Sequence, residues 1–365
     1  MDTKIIAMYL PQFHNIPEND EFWGKGFTDW VSVKKAKPLY KDQIQPRVPL
    51  NENYYDLSQV KNVAWQAELA KKYGVNAFGI YHYWFNNEKN LLTKPSQIIL
   101  DNKEIDIDYM FVWDNANWAR SWSAVGGNDW SPLEETEEAK KKPGLMIEYI
   151  LGEEKDWENH FNYLLPFFKD QRYVKKDGKP VFVIFNYTPQ IEKMGDYWDK
   201  LAKQHGFAGM FMIYRYNYGT QMPNYLNRYE YQPHGSSWRS SITYRRLYYK
   251  IKNILGYHGV EKYSYDTVWK KLLKNASKRS VSNFYHGGFV GYDDTPRRGD
   301  KAKIITGQTP EKFGMYMKKL VEISRYQNKD FVFVTAWNEW GEGAYLEPDT
   351  INGFSYLEEL KKATL

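Results

Sequence analysis

The heptapeptide Trp337-Asn338-Glu339-Trp340-Gly341-Glu342-Gly343 places two carboxylates three residues apart among indole rings. On an extended strand that spacing sends the side chains to opposite faces. Gly341 and Gly343 allow a sharp turn that brings both to one cavity. Glycosidic bond chemistry needs such a pair: one carboxyl group, protonated, donates to the leaving oxygen, and the other, ionised, assists at the sugar. Trp337 and Trp340 would exclude water and push one of the two pKa values upward. In the competing reading, one glutamate is only an ion-paired loop residue. That reading is the weaker of the two, because carboxylates in an aromatic setting at a strand end are usually functional.

Both glutamates follow the clearest apolar run of the chain, Phe331 to Ala336. Seven similar runs precede it: Ile5 to Leu10, Asn76 to Tyr83, Tyr109 to Trp113, Val181 to Phe185, Met210 to Tyr214, Tyr229 to Gln232 and Phe284 to Val290. Between them lie stretches at helical spacing: Leu57 to Tyr73, closed by Gly74, then Trp157 to Phe168, Ile191 to His205, and Pro310 to Gln327 with Thr309 as N-cap. Eight strands, most followed by a helix, predict a (β/α)8 TIM barrel with long βα loops. A doubly wound sheet would carry a glycine-rich turn after its first strand, where this chain has Pro11-Gln12-Phe13-His14. The 365 residues suit one barrel domain over 1–365, with a basic, tyrosine-rich helical insertion at about 236–280.

Barrel chemistry sits at the C-terminal strand ends. Those positions hold Gln12 and His14; His82, Tyr83 and Trp84; Trp113, Asp114, Asn115, Asn117, Trp118 and Arg120; Asn186 and Tyr187; Arg215 and Tyr216; Gln232 and His234; Asp293, Asp294 and Arg297; and the heptapeptide itself. Rings alternating with hydrogen-bonding groups are what a carbohydrate cleft requires. Aromatic residues make up 18% of the chain, with 14 Trp and 31 Tyr, and this surplus is expected to line the cleft. His14 and His82 have no ligand-spaced partner, so they read as hydroxyl binders rather than metal ligands. Asp293 to Arg298 reads as an anion site or an internal ion-pair corner. The run Glu134 to Glu138 with Lys140 to Lys142 reads as a solvated loop. The opposite strand ends, with Asp106, Asp108, Lys179, Gly209 and Lys329, read as a solvated rim.

The net charge of +5 is too diffuse for a nucleic-acid partner. The absence of cysteine excludes a disulfide framework and thiolate zinc. No leader and no membrane span is evident, so a soluble cytoplasmic protein is expected.

Longer motifs resemble a known family. Tyr9 to His14, Ile16 to Asp20, Trp23 to Trp30, Tyr81 to Phe85, Trp113 to Trp118, Gly291 to Arg298, Trp337 to Gly343 and Leu346 to Asp349 are similar to the WbsX-type proteins of polysaccharide-biosynthesis loci. These are related to glycoside hydrolase family 99, the endo-α-mannosidases and endo-mannanases. Trp23 and Glu347 join the candidate sugar-binding residues through these motifs. The resemblance implies a (β/α)8 barrel and a retaining reaction without a protein nucleophile. In that reaction Glu339 draws the proton from the sugar 2-hydroxyl, a 1,2-anhydro sugar forms, and Glu342 serves as acid and then base. It implies no cofactor, metal or nucleotide. Mannose specificity does not carry over, because family 99 enzymes place different residues around their subsites. The WbsX label also brings a glycosyltransferase expectation, but Asp106-Ile107-Asp108 falls at the wrong strand end for a metal and nucleotide-sugar site. A glycosidase acting on a microbial polysaccharide or oligosaccharide is therefore the first expectation. A glycosyltransferase or transglycosylase is the second, and a non-catalytic carbohydrate-binding barrel the third.

Overall fold

A computed structural model of the chain describes residues 3–119, 145–217, 221–238, 247–248, 251, 254 and 260–365. Arg120, the charged run at 134–142 and much of the 236–280 stretch lie outside the described residues. Eight parallel strands form the barrel: β1 (Lys4–Tyr9), β2 (Ala77–Asn86), β3 (Asp108–Trp113), β4 (Lys179–Ile184), β5 (Phe211–Arg215), β6 (Asn227–Tyr229), β7 (Phe284–Phe289) and β8 (Phe331–Thr335). Each pairs with the next in sequence, and Ile5 opposite Val332 closes β8 onto β1. Seven coincide with apolar runs of the sequence, whereas the sixth, expected at Tyr229 to Gln232, lies at Asn227–Tyr229 and shares only Tyr229 with that run. A strand covered by side chains inside the barrel and by helices outside is buried on both faces, so it reads as a continuous apolar segment.

Outside the barrel lie α1 (Pro17–Trp23), α2 (Asp29–Lys35), α3 (Val60–Lys72), α4 (Lys94–Asp101), α5 (Glu154–Lys169), α6 (Pro189–Gln204), α7 (Tyr265–Lys278), the single turn α8 (Thr295–Arg298), α9 (Pro310–Tyr326) and α10 (Ser355–Thr364). Local chemistry starts the long ones. Thr188 and Thr309 each precede a proline at N1 and accept a hydrogen bond from a first-turn N–H, of Ile191 and Lys312. Glu153 and Asp156 form a capping box on α5. Gly74, at φ 88°, ends α3 in the left-handed region. Within the insertion expected at 236–280, residues 265–278 form α7, which packs against α9.

The aromatic surplus goes mainly to the core, contrary to expectation. Trp113, Trp198, Trp269, Trp337 and Trp340 are fully buried, as are Tyr9, Tyr109, Tyr173, Tyr229, Tyr265 and Tyr285. Many are satisfied there by long-range donations: Trp198 Nε1 to the Trp157 carbonyl, Tyr265 Oη to the Val290 carbonyl, Tyr173 Oη to the Val181 carbonyl. The rim at the strand beginnings also differs at one point. Lys329 is buried and its ammonium donates to the Val281 carbonyl.

Candidate active site

The C-terminal strand ends open on a cavity of about 310 Å³ to which every strand contributes. Leu10 and Gln12 follow β1, Tyr81 and Tyr83 belong to β2, and Asp114 follows β3. Phe185 follows β4, Arg215 ends β5, Tyr231 and His234 follow β6, Arg297 and Arg298 follow β7, and Glu339 and Glu342 follow β8.

Arg297 organises the floor. Its Nη1 donates to Glu342 Oε1 at 2.8 Å, and its Nη2 to Glu339 Oε2 at 3.2 Å and to Asp29 Oδ2 at 3.1 Å. Nε donates to Asp29 Oδ1 at 3.4 Å. Asp29 opens α2, far from the other two acids in sequence, and also accepts from the Gly341 N–H at 3.2 Å. The two glutamates reach one guanidinium because Trp340–Glu342 is a single 3-10 turn. It closes at Gly343, φ 57°, between the paired segments Asn338–Glu339 and Ala344–Tyr345. Gly341 is needed for space: a Cβ there would lie 2.6 Å from both Arg297 Nε and Asp29 Oδ2.

Beneath the turn is a polar knot. Asn338 exchanges hydrogen bonds with Leu10, accepting from its N–H at 2.7 Å and donating to its carbonyl at 3.0 Å, which fixes the ends of β8 and β1 together. Glu347 accepts from Trp340 Nε1 at 2.6 Å, Tyr55 Oη at 2.7 Å and Gln66 Nε2 at 2.7 Å. Trp340 also stacks on Tyr345, with ring centroids 3.7 Å apart. The turn is thus held from below by groups that, Leu10 apart, do not line the cavity.

Charge on the floor is unbalanced, with three carboxylates around one guanidinium. Burial, then the neighbouring Glu342, push Glu339 up to about 8 against the pull of Arg297. Near neutral pH the pair therefore holds a proton in common and can offer one acid and one carboxylate to the same ligand. Burial also lifts Asp114 to about 6, with Arg215 opposing.

Of the residues singled out in the sequence, Gln12, Tyr83, Asp114, Arg215, His234, Arg297, Glu339 and Glu342 come together at the cavity. Others lie off its described wall. His82 and His160 share an Nε2–Nε2 hydrogen bond of 2.8 Å inside an aromatic cluster where Trp84 stacks on His160, and burial drives both histidines to the neutral form. Trp113 is buried and donates to the Trp84 carbonyl. Asn115 and Asn186 bond reciprocally, and Asn117 accepts from the Tyr149 N–H. Trp118 packs edge-on against Tyr83 and Phe85, and Tyr216 against Phe284. His14 is buried, and Trp23 belongs to a small cluster with Phe27. Asp293 accepts from Gln43, Gln45 and the Thr295 N–H, while Asp294 pairs with Arg298 at 2.9 Å. The ion-pair corner, one of two readings of this stretch, is what the structure forms. Trp337, Asn338, Trp340 and Glu347 make up or flank the knot beneath. Sequence reasoning passed over Asp29, Tyr81 and Tyr231. Asp29 and Tyr81 both lie inside family motifs, Trp23 to Trp30 and Tyr81 to Phe85, and that was the signal that could have found them.

The family model described as glycosyltransferase WbsX matches residues 5–360. The chain belongs to this family. It is 28% identical over 375 aligned residues to the uncharacterized protein WxcX of Xanthomonas campestris pv. campestris, an alignment that takes in 100% of this chain and 50% of WxcX. The chain thus spans about half the length of the curated relatives it matches. Among solved structures, the GH99 endo-alpha-mannosidase of Bacteroides thetaiotaomicron superposes with a TM-score of 0.57 at 12% identity, covering 100% of this chain and 96% of that one. A glycoside hydrolase-like protein gives 0.56 at 14% identity, covering 99% and 94%. These likenesses show the shared barrel. Among the described residues, no helix is long and apolar enough to cross a membrane.

Proposed function

We propose that this WbsX family chain is a retaining glycosidase of microbial polysaccharides or oligosaccharides that works through a 1,2-anhydro sugar. The observation that carries the reading is the convergence of Glu339 and Glu342 on Arg297, with a raised pKa in the pair. In the first step Glu339 takes the proton of the sugar 2-hydroxyl, O2 attacks C1, the bond from C1 to the leaving oxygen breaks, and Glu342 protonates that oxygen. In the second step Glu342, now ionised, takes a proton from water attacking C1. The C1–O2 bond opens, and Glu339 returns its proton to O2. The difference in burial favours this division of labour. The Glu342 side chain, 19% exposed, is the more open of the two to the leaving oxygen and to the water that replaces it, whereas Glu339 is only 5% exposed; the proton that the pair shares sits on Glu342 when the 2-hydroxyl reacts.

The family description favours a second reading, in which the same intermediate is opened by an acceptor hydroxyl instead of water. A panel of α-linked oligosaccharides, assayed for new reducing ends and for transfer products, separates the two. Reducing ends should appear, Glu342→Gln should lose on the order of a hundredfold or more, and 2-deoxy analogues of the cleaved sugar should be inert. Turnover of Glu342→Gln at the wild-type rate would overturn the acid assignment. Consumption of a nucleotide sugar with glycan growth would establish the second reading.

A further inference from the structure

Resting on the reading of this cavity as a sugar site, we propose that its ligand is a sugar bearing a carboxylate, a uronic acid, and that Arg215 selects it. Three arginines line the cavity. Arg297 is committed to Asp29, Glu339 and Glu342, and Arg298 to Asp294. Arg215 differs. Its Nε donates to the Phe185 carbonyl at 3.2 Å, its Nη2 to Asn186 Oδ1 at 3.1 Å, and its guanidinium lies 4.3 Å from the Phe185 ring centroid. These neutral partners fix the plane of the fork without cancelling its charge. Among the described residues, no carboxylate lies within ion-pair distance of Arg215, and no acceptor is found for Nη1. Asp114 is the facing acid: it acts on Arg215 through space, without a contact at ion-pair distance.

A guanidinium held rigid in a cavity wall suits a planar carboxylate, which it binds through charge-assisted hydrogen bonds that a hydroxymethyl group cannot match. With no carboxylate at contact distance, such a cation in a partly desolvated wall is only partly compensated, and an anionic ligand in direct contact supplies what Asp114, acting through space, does not. The location also fits. Arg215 ends β5 and the glutamates follow β8, three places apart in a ring of eight, so the charged substituent would sit across the cavity from the reacting C1. In a uronopyranose C5 is joined to C1 through the ring oxygen, and its carboxylate projects outward from the ring on a different side from C1. Asp114 and Gln12 remain to meet ring hydroxyls.

The test is binding, read without turnover in the Glu342→Gln protein. The methyl α-glycosides of D-glucuronic, D-galacturonic and D-mannuronic acid are titrated beside their uronamides, which keep the shape and lose the charge. At least one acid should bind about tenfold or more tightly than its amide, and the preference should weaken with salt. Arg215→Gln should abolish the preference, and Arg215→Lys should retain part of it, with each variant's thermal unfolding recorded to show that it folds. Equal binding of acid and amide, failure of every acid to bind, or a preference that survives in Arg215→Gln would overturn the proposal. Loss of the enzymatic reading looks different: an Arg215-dependent acid preference with no cleavage or transfer sinks the glycosidase and leaves this inference standing. Cleavage confined to neutral glycans does the reverse.

Discussion

Arg172 and Arg297 occupy opposite ends of the barrel and keep opposite company. Where the strands begin, Arg172 and Lys103 share Asp170, each at 2.7 Å, and the other Arg172 hydrogens go to the carbonyls of Ile99, Asn102 and Ile105. Burial would raise the Asp170 carboxyl, but hydrogen bonds from Arg172 and Lys103 hold it well below the usual range. Two cations there serve one carboxylate. At the cavity one cation serves three, and burial with mutual repulsion lifts Glu339 to about 8. A cluster with surplus cation locks its acid in the ionised form and acts as a staple. A cluster with surplus acid keeps a proton available for transfer.

The comparison can be broken most directly at the two arginines. Arg297→Met should abolish turnover and cost about 3–5 kcal/mol in urea unfolding at neutral pH, because three carboxylates lose the cation that pairs with all of them. Arg172→Met should cost stability as well but leave the activity per folded molecule unchanged. Loss of that activity would show that the lower cluster is more than a staple.

The two acids should then show opposite pH dependence. Glu339 has a folded pKa above its unfolded value of 4.5, so its contribution is fully present below pH 4.5 and is lost as pH rises through about 8. Glu339→Gln should therefore lose activity by about a hundredfold or more, yet gain roughly 1–2 kcal/mol over wild type at pH 8 and none at pH 4. Asp170 is depressed below its unfolded value of 3.8, so its contribution is present above that pH and fades as pH falls below it. Asp170→Asn should be the less stable protein at pH 7 and approach wild type in acid. Thermal unfolding across pH reads both, and parallel profiles would refute the contrast.

Smaller effects test the packing around the upper cluster. Gly341→Ala forces a methyl against Arg297 and Asp29 and should cost about 1–3 kcal/mol, with a fall in kcat larger than any change in KM. Last, Asp106 pairs, among the described residues, only with the exposed Lys71 at the lower rim. Asp106→Asn should shift Tm by no more than about 1 °C and leave activity intact. A large activity loss there would revive a metal and nucleotide-sugar site at that end.

Much of this was legible in the sequence for definite reasons. Seven of the strands show as apolar runs because both their faces are covered, the sixth, Asn227–Tyr229, is too short and polar to do so, and the caps Thr309 and Gly74 are chemically local. The acidic pair was visible because it lies within one turn. Helices α1 and α2 went unread because seven residues give too little periodicity, and with α2 went Asp29. The aromatic rings were misplaced for another reason. A buried Tyr or Trp whose polar tip finds a distant carbonyl has the same composition as one that stacks on a sugar, and only the fold tells them apart.

By itself the sequence determined the strands, the barrel and the turn that presents Glu339 and Glu342, since each depends on neighbours within a few residues. The tertiary structure decided how many charges gather there. Closing β8 onto β1 brings Arg297 after β7 and Asp29 of α2 onto that turn, and burial at their meeting point decides which carboxyl keeps a proton. Coulombic interaction and desolvation depend on distance in space, and separation along the chain does not reveal it.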